Sequence, residues 1–153
     1  MPLHFLKRKE TQEILKELNT QFGISKIPGA LVRIGGERIF LYQGYLNENQ
    51  IKELEQAVPI ERIGVYFAKL QEGKIRLSIE GTHIFKNQIK KNIIEISKED
   101  AEKWMHGSEL LIKLDKRGFV IIKHKDDFLG TGKSSENKIT NFIPKTRRLK
   151  FKG

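Results

Sequence analysis

The apolar residues of this chain come in short runs broken by glycine and charge, which confines the fold to short strands and short helices. Ala30-Leu-Val-Arg-Ile-Gly-Gly-Glu-Arg-Ile-Phe-Leu-Tyr42 predicts a hairpin, two β-rich runs joined at Gly35-Gly36. Ile63 to Leu70 and Lys74 to Ile79 predict a second, turning through Gln71-Glu72-Gly73. Leu6 to Phe22 reads as a helix, with Ile14, Leu15, Leu18 and Phe22 on one face and Gly23 placed to end it. Asn47 to Val58 reads as another, with Ile51, Leu54 and Val58 apolar and Pro59 stopping it. Residues 1–81 are thus expected to form a small α+β unit, with a boundary at Glu80-Gly81.

The second expected unit, residues 82–153, opens with a strand over Lys91 to Ile96. A helix follows, capped by Ser97 with Asp100 as capping-box partner, burying Ala101, Trp104 and Met105 and stopped by Gly107. Glu109 to Leu114 and Phe119 to Lys123 predict two strands joined by a turn at Asp115-Lys-Arg-Gly118. Gly130 and Gly132 read as turn glycines. Beyond them Leu129, Ile139, Phe142, Ile143, Leu149 and Phe151 alternate with charges, so the C-terminal arm is expected to pack as a strand or two. Many short strands with one helix fit a small β pseudo-barrel, and the whole chain is α+β.

Charge narrows the partner. The 153 residues carry a formal net charge of +10. From Lys133 to Gly153 there are seven Lys or Arg against one acid, Glu136. Such a concentration suits a phosphate backbone, whose condensed counterions are released on contact. Arg147 and Arg148 can grip phosphates bidentately, while Lys133, Lys138, Lys145 and Lys150 act as point charges along a track.

Chemistry is harder to assemble. Gly130-Thr-Gly-Lys-Ser134 is not a P-loop, because the required first glycine is Asp127, a carboxylate that repels phosphate, and too little chain follows for the helix and magnesium strand. There is no cysteine, hence no disulfide, thiolate-bound zinc, iron–sulfur cluster or cysteine nucleophile. His4, His83, His106 and His124 have no metal-ligand spacing. Asp126-Asp127 reads as two solvated acids before a turn. No metal and no cofactor is expected. No apolar run approaches the roughly 18–20 residues that span a membrane, and Met1 to Lys9 lacks the features of a signal peptide, so a cytoplasmic location is expected.

The sequence also resembles a family. Leu129-Gly-Thr-Gly-Lys133 and Lys138-Ile-Thr-Asn-Phe-Ile-Pro-Lys-Thr-Arg-Arg148 are similar to the end of the PUA-like RNA-binding domain of Sun/Fmu-type RNA 5-methylcytosine methyltransferases. Ile94 to Gly107 is similar to that domain's strand and "helix then Gly" segment, and Arg62 to Arg76 to its hairpin. The likeness covers about the last two thirds of the chain. It implies a PUA-like pseudo-barrel without the catalytic domain, and RNA docking at Met105, His106 and Gly107 together with Lys133 to Arg148. These enzymes methylate by thiolate attack, so a chain without cysteine cannot perform the reaction. The expected function is non-catalytic binding of structured rRNA or tRNA, in ribosome biogenesis or as the RNA-holding partner of a methyltransferase. The rivals are an accessory subunit whose basic surface meets a protein, and a metal-dependent RNA-processing enzyme around Asp126-Asp127.

Overall fold

The computed structural model describes residues 3–60 and 62–150. Five strands make an antiparallel sheet in sequential order: β1 (Leu3–Phe5), β2 (Ala30–Ile34), β3 (Arg38–Tyr42), β4 (Val65–Gln71) and β5 (Lys74–Leu77). Both expected hairpins are present. The tighter one pairs Gln71 with Lys74 through Glu72 and Gly73, at φ 53° and 76°, the positive values a two-residue turn of matching twist needs. Helix α1 (Arg8–Phe22) starts with the Lys7 N–H donating to the Glu10 carboxylate at 3.0 Å and ends at Gly23 with φ 82°. Helix α2 (Glu48–Ala57) is closed by a reciprocal Asn47–Gln50 capping box, each backbone N–H donating to the other's side chain at 2.9 Å. Its expected apolar stripe is not buried throughout. Ile51 is covered, but Leu54 and Val58 are 45% and 47% exposed.

Strand alternation places one core on each face of this sheet. Leu31, Ile39, Leu41, Ala68, Ile75 and Leu77 face Leu18 and Phe22 of α1. Val32, Ile34 and Phe40 face the other way, with Leu3, Ile51 and Ile63. The outer edge of β5 is not left open. Gln21, almost fully buried in α1, donates to the Ile75 carbonyl at 3.0 Å and accepts from the Ile75 N–H at 2.8 Å, satisfying the edge as a further strand would.

The second sheet runs β6 (Ile93–Glu95), β7 (Gly118–His124), β8 (Asp127–Ser134) and β9 (Ile139–Asn141), with β6 and β7 parallel and the rest antiparallel. In β7, Phe119, Val120, Ile121 and Ile122 are all buried, because the strand has protein on both faces. Phe119 and Ile121 join the core over α1, while Val120 and Ile122 join a separate core under α4 (Lys98–Met105). Ser97 caps α4 as expected, accepting from the Asp100 N–H at 3.1 Å. The architecture is α+β with two sheets, matching the expected class.

Four local expectations are corrected. Glu109 to Leu114 is not a strand. It makes one bridge, Leu110 to Ile139, because one edge of β7 is occupied by β6 and the other by β8, and Leu111 is left 88% exposed. Asp115 to Gly118 therefore joins no hairpin. Gly130 and Gly132 do not make a turn but lie inside β8; the turn is Lys125-Asp126, with Lys125 at φ 53°. At Gly132 a Cβ would collide with Ile139, and would come within 2.8 Å of Trp104 Cη2 and 2.9 Å of the Thr140 carbonyl, so the bare backbone is what lets the indole lie on the sheet. Finally α3 (Ile79–Ile84), a six-residue helix the sequence did not announce, is capped by Ser78, whose hydroxyl donates to the Tyr66 carbonyl at 2.7 Å and accepts from the Gly81 N–H at 3.0 Å. It sits so close to β4 that a side chain at Gly81 would strike the Phe67 carbonyl. Phe151, counted in the expected arm alternation, lies outside the described residues.

The boundary expected at Glu80-Gly81 falls inside α3, and one core joins Phe22, Phe67 and Phe85 to Phe119, Ile121 and Phe128. Units that share a core in this way are expected to melt together. Calorimetry should give one transition with equal calorimetric and van't Hoff enthalpies; two resolved transitions would support the division into 1–81 and 82–153. Gly132→Ala should cost roughly 1–3 kcal/mol by overpacking. Gly36→Ala, where a Cβ meets nothing within 4 Å, should stay within about 0.5 kcal/mol, both variants being measured by urea titration.

Candidate nucleic-acid interface

The C-terminal segment is anchored by one buried amide. Asn141 at the end of β9 donates to the Trp104 carbonyl at 2.8 Å and the Ser108 carbonyl at 3.0 Å, and accepts from the Ile143 N–H at 2.8 Å. A buried amide with three partners holds its backbone in one path. Ile143 is driven into the α4 core, Pro144 follows, and a 3-10 turn over Lys145–Arg147 carries the basic residues outward.

Two groups of expected site residues meet here. The Leu149 N–H donates to the Met105 carbonyl at 2.8 Å, and His106 Nδ1 donates to the Leu149 carbonyl at 2.7 Å. Gly107, at φ 101°, has no side chain because Arg148 crosses it; a Cβ there would lie 2.6 Å from Arg148 Cδ. Arg148 Nε donates to the Ile143 carbonyl at 3.0 Å, so this arginine braces the segment while remaining half-buried. Lys145 and Lys150 are exposed and form no ion pair among the described residues. Lys133 and Lys138 stand apart in this respect: Lys133 lies 3.9 Å from the Glu72 carboxylate, and Lys138 pairs with Glu109 at 2.9 Å.

Arg147 pairs with Glu80 of α3. Burial works to raise the Glu80 carboxyl, but hydrogen bonding and charge from Arg147, its own backbone and His83 outweigh it, holding the group below the usual carboxylate range. This pair marks the rim of a cleft of about 510 Å³ between the β3–β4–β5 face and the C-terminal segment. Arg38, Arg62, Tyr66, Arg76 and Phe142 line it. The sequence did not single out these arginines. They come from separate strands and a loop, and only the strand register brings them together.

The other candidate chemistry is accounted for structurally. His4 bonds Glu10 at 2.9 Å, while His83 and His124 donate to the Phe128 and Ile96 carbonyls at 3.2 and 2.8 Å. Asp126 lies in the β7–β8 turn and Asp127 begins β8. Among the described residues no three His, Asp or Glu side chains are grouped to hold a metal ion, and no helix is long and apolar enough to cross a membrane.

Residues 91–149 match the methyltransferase RsmF PUA domain. This PUA segment takes in α4, the second sheet and the Asn141-anchored turn. Likeness to whole proteins reaches further toward the N-terminus than the expected two thirds. The chain is 26% identical over 145 residues to ribosomal RNA small subunit methyltransferase F of Psychromonas ingrahamii, covering 90% of this chain and 29% of that protein. It is 27% identical over 150 residues to the Vibrio campbellii protein of the same name, covering 94% and 30%. The chain therefore spans under a third of the curated relatives it matches. A hypothetical protein of Pyrococcus horikoshii OT3 shares the fold, with a TM-score of 0.57 at 10% identity over 92% of this chain and 93% of that one.

The Glu80 carboxyl, depressed when folded, contributes stability that is complete above its unfolded value near 4.5 and is lost as pH falls through the lower folded value. Glu80→Gln should melt below the wild type by a constant gap from pH 5 to 7, with the gap closing below pH 4.5. Thermal melts by circular dichroism across pH 3–7 check this.

Proposed function

We propose that this chain is an RNA-binding module that performs no chemistry itself, holding structured rRNA or tRNA for ribosome biogenesis or for RNA modification by a methyltransferase. The observation that carries the reading is the closing turn of the PUA-matched segment. Asn141 fixes its path, and Lys145, Arg147 and Lys150 project from it into solvent. A preset cationic turn suits a phosphate backbone, where contacts position the protein without reading bases. The name of the relatives, ribosomal RNA small subunit methyltransferase F, favours rRNA over tRNA.

The absence of cysteine supports the non-catalytic part, since thiolate attack has no nucleophile here. The partners in this reading are the RNA, a methyltransferase that supplies the chemistry or a ribosomal particle, and the location is cytoplasmic.

Lys145→Ala with Lys150→Ala should weaken binding to many structured RNAs alike and flatten the log–log salt slope by about 1.4–1.8, at roughly 0.7–0.9 per phosphate contact. Neither residue packs in the core, so the melting temperature should hold. Fluorescence anisotropy at several salt concentrations reads the slope, and an unchanged slope in the folded variant would remove the RNA from this turn.

A further inference from the structure

The register of the first sheet builds an unusual row. Arg38 stands directly opposite Lys69, and Lys69 directly opposite Arg76, so β3, β4 and β5 place three cations side by side on one face. Like charges in register destabilise a sheet, so folding alone does not favour such a row. Lys69 is relieved by Glu37 at 3.4 Å. Arg38, Arg62 and Arg76 have no carboxylate partner among the described residues. Arg38 and Arg76, the two ends of the row, line the cleft, where the one lining carboxylate among the described residues, Glu80, is already engaged by Arg147.

The same cleft offers planar surfaces. Arg76 lies over the Phe142 ring at 4.4 Å, and Phe142 packs edge-on against Phe119 at 6.1 Å. The backed guanidinium and the half-exposed Tyr66 ring are flat groups of the kind on which unstacked bases settle. Thr131, 3% exposed, also lines the cleft, and its Oγ1 has no hydrogen-bond partner among the described residues. The volume, about 510 Å³, lies within the roughly 300–1,000 Å³ of small-ligand sites. A ligand that satisfies all of this is anionic at one end and aromatic at the other.

We propose that this cleft takes an unpaired, unstacked nucleotide of the bound RNA, with its phosphate toward Arg38 and Arg62 and its base against Arg76 and Tyr66. The proposal rests on the RNA-binding reading above and assigns the closing turn and the cleft different tasks. The turn grips duplex phosphates; the cleft selects a single-stranded nucleotide beside them. Arg38 and Arg76 belong to the first sheet and Arg62 to the loop before β4, all three outside the segment matched to the PUA domain.

The test uses the full chain and two RNAs, a blunt duplex and the same duplex carrying one bulged 2-aminopurine. The wild type should bind the bulged RNA about tenfold tighter, within the range of base stacking, and quench the 2-aminopurine. Arg38→Ala with Arg76→Ala should erase that preference and the quenching while keeping most duplex binding. Arg62→Ala, in an exposed loop, should reduce the preference without touching the sheet, so the proposal stays testable if the double variant misfolds. Equal binding of both RNAs by the wild type, or an unchanged preference in the folded variants, overturns the cleft proposal and leaves RNA binding by the turn standing. Failure of the wild type to bind either RNA at low salt overturns both. Oligoglutamate binding that depends on Arg38 and Arg76, with no preference for the bulge, gives the cleft to an acidic protein partner and overturns the nucleotide.

Discussion

The two sheets hold their mutual angle because a single aromatic core runs between them. Phe22 from α1, Phe67 from β4 and Phe85 after α3 are completely buried, and Phe119, Ile121 and Phe128 of the second sheet close on them. Phe67 and Phe85 meet edge to face at 5.6 Å. Removing one such ring from a core costs on the order of 3–5 kcal/mol, a large part of the stability of a domain this size. Backbone bonds cross the same junction. Lys90 N–H reaches the Phe22 carbonyl at 2.8 Å, and Asn92, at φ 57°, donates its side chain to the Gln21 carbonyl at 2.6 Å while its own carbonyl receives the Ile121 N–H. The cleft beside the C-terminal segment takes its lining from both sides of this junction, Arg38, Tyr66 and Arg76 from the first sheet and Thr131 from the second.

Local signals in the sequence were read well where they act locally. The Gly23 stop, the Ser97 cap and the Glu72-Gly73 turn each depend on a few neighbouring residues, and each appears as expected. The failures share a cause. α3 contains Gly81 and Thr82 in six residues, a poor intrinsic helix, and forms because it fits closely against β4. Gly130 and Gly132 look like turn residues until Ile79 and Ile143 are known to pack over the first and Trp104 over the second. Glu109 to Leu114 has strand composition, but both edges of β7, its expected partner, are taken by β6 and β8.

The site divides in the same way. The basic turn was legible because its charges are close in sequence, and the family resemblance grouped Met105, His106 and Gly107 with Lys133 to Arg148, while the bonds through Leu149 were not anticipated. Arg38 and Arg76 were not legible, since their alignment on either side of Lys69 depends on strand register, which in β3 and β4 shifts between Ile39 and Phe40. The cations of the expected track differ in their surroundings. Lys133 and Lys138 stand beside carboxylates, and Arg148 has a structural task over Gly107. A compact cationic turn lies next to an arginine-rich cleft, with the Arg147–Glu80 pair between them.

Photo-crosslinking tests this arrangement most directly. Structured RNA bearing 4-thiouridine at paired and unpaired positions would be irradiated with the full chain, and the crosslinked peptides identified by mass spectrometry. The account predicts crosslinks from paired positions in the segment 144–150 and crosslinks from unpaired positions around Tyr66 and Phe142. Crosslinks concentrated on α1 or α2, with none at either place, would contradict it.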